Sequence, residues 1–182
     1  MGGIPFLHSV RDRENLGRKM WIGKPGQERP GRKSMNRIQD WKMNRIWLWI
    51  YMVLQCTWGL IQTIAGFAVF LRYGKCPHCC FHGAVYTKWD RRDGISLGMF
   101  IFSPDERLMV HEYGHTYQSL LLGPLYLIVI GIPSAIWANA PGFIRLREEK
   151  GVPYSAFWAE GWADCLGKKM VSWAAKNDRK NK

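Results

Sequence analysis

Apolar residues come in blocks along this chain, each with its own spacing. The first, Trp47 to Leu71 (WLWIYMVLQCTWGLIQTIAGFAVFL), runs uncharged between Arg45 and Arg72. A run of that length can cross about 30 Å of hydrocarbon, so residues 45–73 are expected to form a transmembrane helix. Gln55, Gln62 and Thr63 fall on or near one face of it and are expected to touch protein, not lipid. The second block, Ile95 to Phe102, reads as a strand bounded by Gly94 and Pro104. Ser103-Pro104-Asp105-Glu106 then resembles a helix start, with Ser103 as cap, Pro104 in the first turn and Glu106 closing a capping box, predicting a helix over about 104–122. A third apolar stretch, 119–140, is interrupted by Pro124 and Pro133, each preceded within two residues by Gly, and is expected to form a re-entrant or interfacial hairpin or to lie buried against the first span, with a plain second transmembrane helix as the alternative. Residues 141–152 read as a charged loop. A helix over about 155–176, capped by Ser155, and a disordered polar tail, 176–182, complete the chain.

The fold class this pattern implies is mainly α: a membrane-anchored helical protein with a short β-strand or hairpin ahead of one helix. The segments are a basic N-terminal stretch (1–44), the membrane helix (45–73), one domain (74–175) that includes the apolar hairpin 119–140, and the tail (176–182). Residues 17–33 are basic, Gly/Pro-rich and without period, so they should not fold alone. Met35 and Met43 are alternative starts close before the first apolar run.

Charge and composition sharpen the membrane reading. The net charge is +12 and there are ten tryptophans among 182 residues. Trp, Tyr, Lys and Arg around long apolar runs suit a membrane boundary, because each has an apolar body and a polar tip. No nucleic-acid-binding motif accompanies the basic balance, so anionic lipid is the expected partner and nucleic acid is not. The excess of Lys and Arg before the first run weakly places the N-terminus in the cytoplasm.

The candidate chemistry lies at His111-Glu112-Tyr113-Gly114-His115, an H-E-x-x-H on the helix expected over 104–122. Histidines four apart share one helical face, so both imidazoles can reach one metal ion, and Glu112 points to the side where a metal-bound water would sit. Zinc is the fitting ion, with an open position for water and Glu112 as general base. Downstream, Glu160 and Asp164 stand four apart in the Trp-rich helix. Two carboxylates there need a positive or hydrogen-bonding receiver; zinc would receive Glu160, and a zinc-bound histidine's second N–H would receive Asp164.

In these residues the chain resembles the gluzincin class of zinc metallopeptidases, whose pattern is H-E-x-x-H followed by a helix bearing E-x-x-x-D. The resemblance implies His111, His115 and Glu160 as metal ligands, Glu112 as catalytic base, and Asp164 as partner of His111. The metzincin extension is absent, since Gln118 and Leu121 stand where its Gly and third His would be. The run from His111 through Ser119, with Leu122-Gly-Pro-Leu-Tyr-Leu, is also similar to small, uncharacterised bacterial membrane proteins, which implies the bacterial inner membrane. A peptide or protein substrate would align beside Ser96, Leu97, Gly98, Met99 and Phe100, since an extended peptide can add to a strand edge. Tyr113, Tyr117 and Tyr154 are candidates for steadying an oxyanion.

Two other readings fit the same residues: a non-catalytic membrane protein using the metal as a clamp between helices, and a basic scaffold for lipid or a partner helix. Cys76-Pro77-His78-Cys79-Cys80 contains a C-x-x-C that could hold a small metal or redox site. It lacks the second pair a structural zinc site needs and is read as a loop of ordinary thiols.

Overall fold

The computed structural model describes residues 45–180; the basic segment 1–44, expected not to fold alone, and residues 181–182 lie outside the described residues. The described chain is mainly helical with one small mixed sheet.

The uncharged run does not form the single helix expected. It makes α1 (Arg45–Thr57) and α2 (Leu60–Tyr73), bent by 92° across Trp58 and Gly59. Gly59 N–H reaches back to Leu54 O at 2.9 Å, one residue beyond the α-helical partner, and Gly59 O then accepts from Thr63 N–H at 3.0 Å. The ladder ends there and restarts. Polar side chains hold the bend: Thr63 Oγ1 donates to Gln55 O at 2.9 Å and Gln55 Nε2 donates to Thr116 O at 3.0 Å. Gln62 Nε2 donates to both Ser119 Oγ and Gly123 O, each at 2.9 Å. A buried amide needs such partners, and all of them lie on or just after the H-E-x-x-H helix, so the run folds along it. A hydropathy count adds up apolar residues and is blind to that requirement. No single helix among the described residues is long and apolar enough to cross a membrane.

Residues 78–88, not expected to be strands, form β1 (His78–Phe81) and β2 (Ala84–Lys88) joined by His82-Gly83, whose positive φ angles of 47° and 90° suit a two-residue hairpin turn. The stretch expected as one strand over 95–102 doubles back into β3 (Ile95–Leu97) and β4 (Phe100–Ser103). The sheet order is β1-β2-β4-β3, antiparallel except for the parallel β2–β4 pair. Of the five residues expected along a substrate, Ser96 and Leu97 are on the edge strand, Gly98 and Met99 make the turn, and Phe100 lies inside the sheet on β4. The cysteine cluster runs onto a strand instead of a loop, with Cys79 buried, Cys80 exposed and all the thiols free.

The H-E-x-x-H helix, α3 (Glu106–Leu122), is capped by Asp105, which accepts from Leu108 N at 2.9 Å, and not by Ser103. Ser103 is held in the sheet opposite Lys88, its carbonyl accepting from Tyr86 Oη at 3.3 Å, so its backbone is not available to a helix. One side of α3 packs through Tyr113, Tyr117 and Met109 on Phe81, Tyr86 and Ile101 of the sheet and on Tyr51 of α1.

After α3 the chain passes through a 3₁₀ turn (Gly123–Leu125) and a π turn (Leu127–Gly131) into α4 (Ile132–Asn139), an overall bend of 118°. The break falls at Gly123, with φ of 53°, and Pro124; Pro133 sits in the first turn of α4, where its missing N–H costs nothing. The stretch expected as a loop over 141–152 is α5 (Pro141–Lys150), begun by Pro141 and closed by left-handed Gly151. Ser155 lies in a short 3₁₀ turn and caps nothing; α6 (Trp158–Lys180) follows and continues through most of the stretch expected as a disordered tail.

Candidate metal centre

The site is set by how closely α3 and α6 approach. A Cβ added to Gly114 would stand 1.9 Å from Ala163 O, and one added to Gly167 would stand 2.0 Å from Val110 O. The two backbones therefore touch, and the longer side chains beside these small residues meet across the crossing.

His111 and His115 come from α3, Glu160 and Asp164 from α6. Both ring Nε2 atoms face one carboxylate oxygen: Glu160 Oε2 lies 2.9 Å from His111 Nε2 and 3.3 Å from His115 Nε2. The ligand atoms of these three residues all lie within 4.8 Å of one another, in the one such group among the described residues. Tetrahedral zinc with ligands about 2.0–2.1 Å away spaces those ligands about 3.3 Å apart. The two distances from Glu160 Oε2 to the ring nitrogens fit that spacing. Glu160 is only 1% exposed, and its Oε1 makes no hydrogen bond, with the Ser134 hydroxyl of α4 nearby. A buried carboxylate oxygen offered only a neighbouring hydroxyl is what a cation would satisfy.

The far side of each imidazole is also held. His111 Nδ1 donates to Asp164 Oδ1 at 2.8 Å, and His115 Nδ1 donates to Gln118 Oε1 at 2.7 Å. Gln118 is fixed in turn by donating from Nε2 to Ala159 O at 2.8 Å. With both Nδ1 atoms as donors, loss of the protons shared with Glu160 would leave both Nε2 lone pairs facing one point, as a metal needs. Gln118 stood out in the sequence only as a departure from another pattern. Its position three residues after His115, one helical turn on, was the signal for its role.

Electrostatics favour a cation. Burial works to lower the His111 pKa, but Glu160, Glu112 and Asp164 reverse that and raise it to about 9. Burial works to raise the Glu160 pKa, and its hydrogen bonds to His111 and His115 overcome it, holding the carboxyl well below the usual range. A field that favours a proton on His111 would also favour a divalent ion in that proton's place.

Glu112 lies beside the cluster, 5% exposed, and burial raises its pKa against the opposing charges of His115 and His111 and the nearby Ser96 hydroxyl. Its carboxylate occupies room left by Gly94, where an added Cβ would stand 2.3 Å from Glu112 Oε1. Of the tyrosines considered for the oxyanion, Tyr154 stands by the cluster, its ring centre 6.3 Å from that of His111. Tyr113 and Tyr117 are on the opposite side of α3, where Tyr113 Oη donates to His82 O at 3.3 Å and lies 3.0 Å from Tyr117 Oη. They belong to the core because positions 113 and 117 turn away from the 111/115 face. Tyr126, given no role from the sequence, is buried beside Ser96 and near both Glu112 and Glu160.

Compared with known proteins, the chain matches no family model, no curated protein and no solved structure. The functional reading therefore rests on the geometry of this centre.

Proposed function

We propose that the protein is a membrane-associated, zinc-dependent hydrolase, a metallopeptidase acting on a peptide or protein. The observation that carries this reading is the convergence of His111 Nε2, His115 Nε2 and Glu160 Oε2, with the far nitrogens held by Asp164 and Gln118 and with Glu112 alongside. His111, His115 and Glu160 would hold zinc, which would supply Lewis-acid polarisation of a carbonyl and acidify water there. Glu112 takes a proton from the attacking water and delivers it to the leaving amine, a task suited to a carboxyl whose pKa burial has raised. An extended substrate adds to β3, which has β4 on one side and no strand on the other among the described residues. Tyr154 and Tyr126 are the phenols within reach of charge developing on the substrate.

The clamp reading uses the same ligands but gives Glu112 and the space at Gly94 no task, which favours the hydrolase. Membrane association is supported by the large apolar side chains that α1, α2 and residues 125–136 leave exposed.

Elemental analysis of purified protein tests the centre. One zinc per chain is expected in wild type and none in Glu160→Ala; an equal zinc content in the two ends the proposal. Glu112→Gln is expected to retain zinc and to lose about 10²- to 10⁴-fold in peptide hydrolysis. Undiminished turnover in that variant rules out the assigned base.

A further inference from the structure

The two N-terminal helices are built inside out. The buried positions of α1 and α2 are Tyr51, Gln55, Gln62, Thr63 and Gly66, while Trp49 (64% exposed), Val53 (53%), Ile61 (57%) and Ile64 (60%) face outward. A helix on a water-facing surface turns its polar side out. Here the polar side turns in, where Gln55 and Gln62 bond to α3 and the residue after it. The segment after α3 repeats the arrangement: Tyr126 and Ile130 are buried, Ser134 lies by Glu160, and Ile128 (65%) and Ile132 (55%) face outward. The two apolar surfaces join where Trp58, at the α1–α2 bend, packs on Gly123.

The α1–α2 pair does not suit a crossing of the bilayer. At about 1.5 Å per residue, the 13 residues of α1 and the 14 of α2 reach only about 20 Å each. The hydrocarbon layer is about 30 Å thick. With 92° between them, the two helices cannot both run along the membrane normal. Arg45 starts α1 and Arg72 lies in the last turn of α2, so both ends of the bent pair carry a cation suited to headgroup phosphate.

We propose that the outer faces of α1, α2 and residues 125–136 form one lipid-binding surface that enters a single leaflet of an anionic membrane and does not cross it. The metal centre then lies about one helix diameter, about 10 Å, beneath that surface, covered by the inner side of the 123–139 segment. This inference rests on the membrane association proposed above and is independent of zinc chemistry.

The test uses full-length protein as purified and sealed vesicles of phosphatidylcholine with or without phosphatidylglycerol. Arg45→Cys and Lys75→Cys are each made with Cys56, Cys76, Cys80 and Cys165 changed to Ser, and treated with a membrane-impermeant maleimide. Both are expected to label fully from outside, with no gain when detergent opens the vesicles. Protection of one of the two until detergent is added shows a crossing and overturns the proposal. Val53→Glu and Ile64→Glu are expected to lower the fraction that floats with vesicles by at least about tenfold while keeping the wild-type thermal melt, which reports an intact fold. Flotation should also fall when phosphatidylglycerol is omitted. Failure of wild type to float removes the membrane association itself. A dimer in detergent-free buffer that ignores vesicles assigns the surface to a second copy of the chain, and also overturns the proposal.

Discussion

Gly167→Ala tests whether backbone contact between α3 and α6 sets the centre. The new Cβ would lie 2.0 Å from Val110 O, whereas real Cβ atoms essentially never approach within 3.0 Å, so the helices must separate by about 3.0 − 2.0 = 1.0 Å. The obstacle is a main-chain oxygen inside a helix and cannot swing aside. Glu160 lies on α6 two turns before Gly167 and moves with it, while His111 and His115 stay on α3. Metal–ligand distances tolerate only about 0.2 Å, so a shift of about 1 Å takes the carboxylate out of the set. Zinc affinity should fall at least about 100-fold, or about 2.8 kcal/mol. Global stability should change less, because overpacking of about 1–3 kcal/mol is partly offset by the better helix propensity of alanine. Competition titration against a chromophoric chelator, paired with thermal melts of metal-free protein, separates the two effects. Gly142→Ala, in a helix with open space around it, is the control and should bind zinc as wild type does. If Gly167→Ala also binds zinc with wild-type affinity, the approach of the helices does not place the ligands.

Other perturbations separate the remaining parts. Gln118→Leu removes the acceptor on His115 Nδ1 and should weaken zinc binding by about 10- to 100-fold in the same titration, with Glu160 still in place. Gly94→Ala should leave zinc content unchanged and cut peptide hydrolysis by at least about 100-fold, because the flexible end of Glu112 must yield to the new methyl. Tyr113→Phe should cost about 0.5–1.5 kcal/mol in a denaturant melt and leave zinc content and turnover unchanged; a loss of turnover would return Tyr113 to the site. Removing zinc with a chelator should lower the melting temperature, by an amount that grows with the free zinc concentration before removal, and Glu160→Ala should show no such shift.

What could be read in the chain was what repeats locally. His111 and His115 share a face because four residues make about one helical turn, and the same rule pairs Glu160 with Asp164. Neither pair needs a distant residue to be recognised. The helical character and the turn-back near Pro124 were legible for the same reason, since Gly and Pro act on their own dihedral angles. Tertiary structure decided whatever depends on a partner far along the chain. The uncharged run bends at Trp58-Gly59 because Gln55 and Gln62 find their acceptors on α3 or just past it, some sixty residues on. Asp105 takes the cap from Ser103 because β2 holds Ser103 in the sheet. Gln118 anchors His115 in the fold, and the tyrosines near the cluster are Tyr126, set between the 3₁₀ and π turns after α3, and Tyr154, in the 3₁₀ turn before α6. The sequence determined which side chains can act together on one helix. Whether two helices bring four such side chains to one point depended on glycines 114 and 167, whose missing Cβ atoms let the backbones touch, and a requirement of that kind exists only once both helices are in place.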